Sequence, residues 1–333
     1  MRAAVVSGLG SWLPPRVVTN DELTARLDTT DEWIRSRIGV VTRHVVEPGT
    51  ATSDLSVEAA RRALRSAGVP GAGGVILATT TPDRPCPATA PEIASRLGLI
   101  DVPAFDIAAV CTGFVYGLGV GAGLITAGIV DSLLVVGGDA YSTILDPQDR
   151  TTSVIFGDGA GAVVLRAGSP DEPGALGPFD LGSDGARSDL ITVRAGGSRQ
   201  RSSPGAVPPG DEFFRMEGRE VFANAVARMA AAARTALKRQ GWAESDVDGV
   251  IAHQANVRIL DAVSAELGVP RDKFVSNISD VGNTSAASIP LALAHGVRTG
   301  ELRAGQKVLL TAFGGGLTWG ATTLVWPELS LAD

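Results

Sequence analysis

Residues 59–68 and 232–241 are near copies of one another, and the likeness continues downstream. Each segment opens on Ala-Ala-Arg, carries an Ala-Leu step, and closes on a glycine, Gly68 or Gly241. That is the pattern of a helix whose end is stopped by a residue free to turn left-handed. A short apolar run follows at the same place in both copies, at 74–77 and at 249–252. Helix endings with a glycine stop come next, at 93–99 and 263–269, and then the apolar runs 132–137 and 307–311. Helix, strand, helix and strand therefore recur in one order, which a single chance echo would not produce. Unbroken apolar runs of this length suit strands buried on both faces. The chain is expected to be α/β and built from two duplicated halves, 1–170 and 171–333, packed on each other. The join falls in a polar stretch from Gly168 to Gly210, whose Gly- and Pro-rich composition reads as loop.

A duplicated α/β chain also indicates where chemistry should be sought, because ligands gather at the carboxyl ends of strands. The strand-like run 103–107 leads to Cys111, and 250–252 leads directly to His253. The run 275–278, read as a further strand, leads to Asn283. Cys111 precedes a helical pattern, and free N–H groups at a helix start stabilise a thiolate, which would make it a nucleophile near neutral pH. A buried structural cysteine has the same appearance. His253 sits in a polar cluster with Gln254 and Asn256, where a capping histidine is the plainer alternative; His44 and His295 have more ordinary settings. Asn283 lies among small residues and is also a good helix N-cap. Gly314, Gly315 and Gly316 could aim backbone N–H groups at an oxyanion or form a plain turn.

Composition removes several classes of function. A net charge of −7 gives no footprint for nucleic acid. Two cysteines, Cys86 and Cys111, make no disulfide framework and fit a reducing cytoplasm. The first 14 residues have no long apolar core, so no signal peptide is expected. No charge occurs between Asp106 and Asp131, but six glycines interrupt that span, and a buried strand, turn and helix suits it better than a membrane anchor. The runs 117–122 and 157–162 mimic part of a dinucleotide fingerprint without its strand-then-helix setting, so no nicotinamide cofactor is expected.

In combination these pieces are far more specific than singly. The segments 28–34, 111–114, 156–162, 253–256, 282–288 and 313–316 resemble the β-ketoacyl-acyl-carrier-protein synthase III family of the thiolase superfamily, over nearly the whole chain. The resemblance implies a thiolase-like five-layer αβαβα fold, a homodimer, and a catalytic Cys111, His253 and Asn283. It implies an acyl-CoA primer loaded on Cys111 and a decarboxylative Claisen condensation with a malonyl thioester on acyl carrier protein, with no metal or redox cofactor. The backbone N–H groups of Cys111 and Gly315 would form the oxyanion hole. Thr29, Trp33, Arg37, Arg150, Gly218 and Asn256 would hold CoA, Gln254 and Arg258 would meet the carrier, and Cys86, Ile155 and Phe313 would shape the acyl pocket. Cys86 is expected to reach the partner's pocket, and its small side chain implies a starter longer or more branched than acetyl. Ala223, Ala265 and Glu266 stand where some relatives carry Lys, which leaves a starter-unit enzyme of a specialised polyketide pathway as an alternative. Simple acyl transfer or thioester hydrolysis on the same fold is a further one.

Overall fold

The computed structural model describes residues 2–332. Its apolar strands send alternate residues to opposite faces, and each face buries a different layer. The first sheet contains β1 (Ala3–Trp12), β2 (Val75–Ala78), β3 (Ala104–Ile107), β4 (Ser132–Asp139) and β5 (Gly159–Gly168), in the order β1-β5-β4-β2-β3. The second contains β6 (Asp180–Ser183), β7 (Gly249–Ala252), β8 (Lys307–Gly314) and β9 (Thr318–Val325), in the order β6-β9-β8-β7. In both sheets the two central connections match: β2 runs parallel to β4 and β4 antiparallel to β5, as β7 runs parallel to β8 and β8 antiparallel to β9.

Helices α1 (Thr52–Ala67) and α2 (Ala90–Arg96) cover the outer face of the first sheet, packing on Val75, Leu77, Leu134 and Val136. Helices α4 (Gly218–Gln240) and α5 (Val257–Leu267) cover the outer face of the second, against Val250, Ala252 and Leu309. Between the sheets lie α3 (Gly113–Thr126) and α6 (Ser288–Thr299), which share one core with Ile76, Val135, Ile251 and Leu310. The layers are α, β, α, β, α. The four repeat glycines, Gly68, Gly98, Gly241 and Gly268, all stand just past helix ends with φ between 66° and 76°.

The uncharged run is this central helix. α3 contains five glycines, an unfavourable composition for an isolated helix, at about 1 kcal/mol each relative to alanine. Three of them form the face laid on the sheet: a methyl on Gly113, Gly117 or Gly121 would meet Ala78, Val135 or Leu165 at 2.9, 2.9 and 3.0 Å. Burial of Phe114, Val115, Leu118 and Ile125 offsets the cost, at about 1.5–3 kcal/mol for each side chain. Among the described residues no helix is long and apolar enough to cross a membrane.

Two local expectations are corrected. The stretch 168–210 is only partly loop: it supplies β6, which closes the edge of the second sheet, and Ile191–Val193, which pairs with Phe214–Met216. Composition missed these because short edge strands carry little apolar sequence. The run 275–278 is not a strand. The second copy of β3 is reduced to one parallel bridge between Val250 and Phe274, and the chain turns into the short helix Ile278–Val281.

Candidate active site

Cys111 lies in a single tight turn, Val110–Thr112, between β3 and α3. His253 follows β7 directly, and its own N–H is held by the Thr311 carbonyl of β8. Asn283 occupies the turn before α6, with its N–H on the Ile155 carbonyl and its carbonyl accepting from Gly157. The three come from both halves and line one enclosed cavity of about 40 Å³. Phe313 and Gly314 of β8 line it too, as do Tyr141, Phe156 and Phe214. The Tyr141 and Phe156 rings stack at 4.4 Å, and Phe214 meets both edge-on.

Asn283 also lines a second, more open cavity of about 520 Å³, together with Trp33, Arg37, Gly218, Asn256 and Arg258. Met216, Val221, Ala255 and Ile259 border both cavities, so the two form a path from the surface to Cys111. Trp33 is 41% exposed at its outer end. Asn256 caps α5 through the Arg258 N–H as well as lining the path. Arg150 and Thr29 do not line this cavity: the Arg150 guanidinium donates to the Asp28 carbonyl, one residue from Thr29, whose buried hydroxyl has no partner. A separate cleft of about 510 Å³ beside Arg16, Arg26 and Arg43 shares Phe156 with the inner cavity but none of the residues that line the path.

The electrostatics set each group's resting state. Burial pushes the Cys111 thiol up to about 12, despite a hydrogen bond from its sulfur to Ser285 at 3.7 Å. The expected low-pKa thiolate is therefore not the resting form: loss of water around a fully enclosed sulfur outweighs the hydrogen bonds that would favour the anion. Burial lowers His253 to about 3, so its imidazole is neutral at physiological pH. Its Nδ1 meets the Ser288 hydroxyl at 2.7 Å, which turns Nε2 away from α6. The Asn283 Oδ1 accepts from the Ser285 N–H at 2.9 Å, so its NH2 is the end left for a cavity ligand.

Other predicted residues fare differently. Gln254 cannot meet a carrier: it is fully buried, donates to the carbonyls of Ala252 and Val275, and accepts from Ser276. Its amide ties the His253 turn to the neighbouring segment. Ile155 lines the outer cavity, not the inner one beside Phe313. Cys86 is exposed and does not line the cavity of its own chain. Gly314, the first of the three glycines, packs against Cys111: a methyl there would stand 2.8 Å from the Cys111 nitrogen. Gly315 packs on Ile191 and Val110. Ser285 and Ser288 were also missed, though both lie in the small-residue run around Asn283.

Two duplicated α/β halves, with a cysteine from the first and a histidine and an asparagine from the second at their junction, define the thiolase class of condensing enzymes. Residues 105–185 match the family model for 3-oxoacyl-[acyl-carrier-protein] synthase III, and residues 237–326 match the model for its C-terminal part. The chain is 60% identical to β-ketoacyl-[acyl-carrier-protein] synthase III 3 of Streptomyces coelicolor, over 98% of each chain. The crystal structure of 3-oxoacyl-(acyl carrier protein) synthase III from Pseudomonas aeruginosa PAO1 superposes with a TM-score of 0.92 at 52% identity, covering 98% of this chain and 99% of that one. The priming β-ketosynthase of the R1128 polyketide pathway superposes at 0.91 with 35% identity, covering 99% and 98%. The chain belongs to the 3-oxoacyl-[acyl-carrier-protein] synthase III family.

Proposed function

We propose that this protein primes chain elongation: it accepts an acyl group from acyl-CoA on Cys111 and condenses it with a malonyl group carried as a thioester on acyl carrier protein. One observation carries the reading. A thiol, a neutral imidazole and an amide whose NH2 end is free converge on one small cavity, and an open path with Trp33 and Arg37 leads to it. The names of the relatives support the carrier and the condensing chemistry.

In the first half-reaction the Cys111 sulfur attacks the thioester carbonyl. The carbon–sulfur bond to CoA breaks, and the thiol's proton ends on the departing CoA sulfur. The N–H groups of Cys111 and Gly315 hold the oxyanion. CoA would lie along the outer cavity, its adenine between the Trp33 ring and the Arg150 guanidinium, with Thr29, Arg37, Gly218 and Asn256 along its length. In the second half-reaction the malonyl carboxylate leaves as CO2. With the Ser288 hydroxyl donating to Nδ1, His253 presents Nε2–H to the thioester oxygen beside the Asn283 NH2, and the two stabilise the enolate. Its carbon attacks the acyl group and forms the new carbon–carbon bond as the thioester bond to Cys111 breaks; the sulfur leaves as a thiolate and takes a proton from solvent to return as a thiol. CO2 loss drives the step, so the chemistry requires neither metal nor redox cofactor. A neutral imidazole suits this role, since it donates without having to be protonated.

Arg258, exposed at the path's mouth, is the proposed contact for an acidic carrier. A homodimer formed through β3 fits the open edge of that strand, where Phe105 and Ile107 are only half-buried. In such a dimer the exposed Cys86 could close the partner's acyl pocket. The likeness to the priming ketosynthase favours a second reading with the same chemistry and a polyketide carrier as acceptor. Intact-mass analysis with a panel of acyl-CoAs tests the first half-reaction: one acyl mass per chain on Cys111 is expected. Labelling that persists in Cys111→Ala would refute it.

A further inference from the structure

Behind the nucleophile lies a buried carboxylate that the reaction above does not use. Asp139, the last residue of β4, is wholly buried. Its Oδ1 accepts from the Thr79 hydroxyl, from the N–H groups of Thr80 and Thr81, and from the Thr81 hydroxyl, while Oδ2 accepts from the Ala286 N–H at 3.0 Å. The Ser285 hydroxyl also stabilises its charged form. That same hydroxyl stands 3.7 Å from the Cys111 sulfur. Cys111, Ser285 and Asp139 therefore form a chain that crosses between the two halves.

The backbone is bent to make this contact. Among the described residues three non-glycine residues have positive φ; two of them are Val110, at 47°, immediately before the nucleophile, and Ser285, at 50°. Such a conformation is costly for a β-branched residue and persists only where its surroundings enforce it. The Ser285 turn presses on β4 so closely that a methyl on Gly137 would stand 2.3 Å from the Ala286 carbonyl oxygen.

We propose that Ser285 is a positioning residue for the nucleophile: held beside the Asp139 carboxylate, its hydroxyl accepts from the resting Cys111 thiol, turns its own hydrogen to the sulfur once the thiol ionises, and aims the sulfur at the incoming thioester. A carboxylate alone could not do this, because its negative charge opposes formation of a thiolate. The neutral hydroxyl fixes the direction of the sulfur while keeping the carboxylate charge one residue away. The titratable groups around the sulfur are Asp139, the buried Tyr141 phenol and the neutral His253. Asn283 is spared by a change at this hydroxyl, because it is held through the Ser285 backbone N–H.

The inference rests on Cys111 as acyl acceptor, and its test separates the two. Alkylation by iodoacetamide between pH 7 and 9.5 reads thiol reactivity without any acyl substrate, while the wild-type acyl mass shift reads the function. Ser285→Ala removes the hydrogen bond that favours the anion, so alkylation at fixed pH should slow by about tenfold and the kcat/KM for acylation should fall by a similar factor, mainly in kcat. Asp139→Asn removes the repelling charge, so alkylation should quicken while acylation slows, since the hydroxyl is no longer steered. Simple loosening of the site would instead expose the sulfur and speed alkylation in both. Ser285→Gly, whose backbone adopts positive φ freely, removes the same hydroxyl if the alanine variant does not fold. Alkylation rates that move the same way in the Ser285 and Asp139 variants, or wild-type rates in the Ser285 variants, would overturn the proposal.

Discussion

Adding one methyl group at Gly314 should disable acyl loading with little loss of stability. An alanine Cβ there would lie 2.8 Å from the Cys111 nitrogen, 3.0 Å from the Thr112 nitrogen and 3.1 Å from Thr112 Oγ1. Ordinary contact begins near 3.4 Å, so the Cys111 nitrogen would have to retreat by 0.6 Å, the difference between 3.4 and 2.8 Å. None of these atoms yields easily: two are backbone, and the Thr112 hydroxyl is tied to Thr318. The nitrogen that must move carries the N–H assigned to the oxyanion, and losing one such donor costs about 10²–10³ in rate. Overpacking itself should destabilise by about 1–3 kcal/mol, a fall of a few degrees in melting temperature. Gly315→Ala is the internal comparison, since the nearest contacts of its methyl would be side-chain carbons and not backbone: the Cγ2 methyls of Ile191 and Val110, at 3.0 and 3.1 Å, and the Ile191 Cβ at 3.3 Å. That variant should lose about tenfold or less. Rapid-quench mass spectrometry of self-acylation, with a melting curve for each variant, measures both quantities. Acylation by Gly314→Ala within about threefold of wild type would refute the reasoning.

Three further outcomes are expected. Asn283→Ala should leave self-acylation nearly intact while condensation falls by about 10²-fold or more, because its amide meets charge that develops only during decarboxylation; parallel half-reaction assays with equal losses would contradict this. Arg258→Glu should raise the KM for a carrier-bound malonyl group far more than for a small CoA thioester, and the gap should close as salt is added. Stability should fall as pH rises above about 9, because the folded thiol titrates near 12 whereas an unfolded one titrates near 9, so the unfolded chain sheds its proton first. The effect is at most about 1.4 kcal/mol per pH unit, and Cys111→Ala should lack it; identical alkaline unfolding curves for the two proteins would dispose of it.

Much of the architecture was legible in the sequence because it rests on local, repeated signals. The four glycine-stopped helix ends and the apolar runs after them fixed α/β halves in duplicate, since helix termination and strand burial are decided by a few neighbouring residues. The same logic placed Cys111 and His253 at strand ends. The failures have one physical cause: a side chain's environment depends on segments far away in the chain. The resemblance implied that Gln254 meets a carrier, but its amide is consumed by buried carbonyls on two segments. The helix start just after Cys111 suggested an ionised thiol, and only the closing of both halves around it, which strips away water, reverses that preference. Asp139 and Ser285, 146 residues apart, carry no motif that joins them; packing of one half on the other makes them neighbours. The sequence by itself determined the repeated elements and the residue types available for catalysis. The tertiary structure decided which of those residues face the cavity, which are buried as struts, and which charge state each one holds, because burial and cross-half hydrogen bonding exist only once the two sheets have closed on α3 and α6.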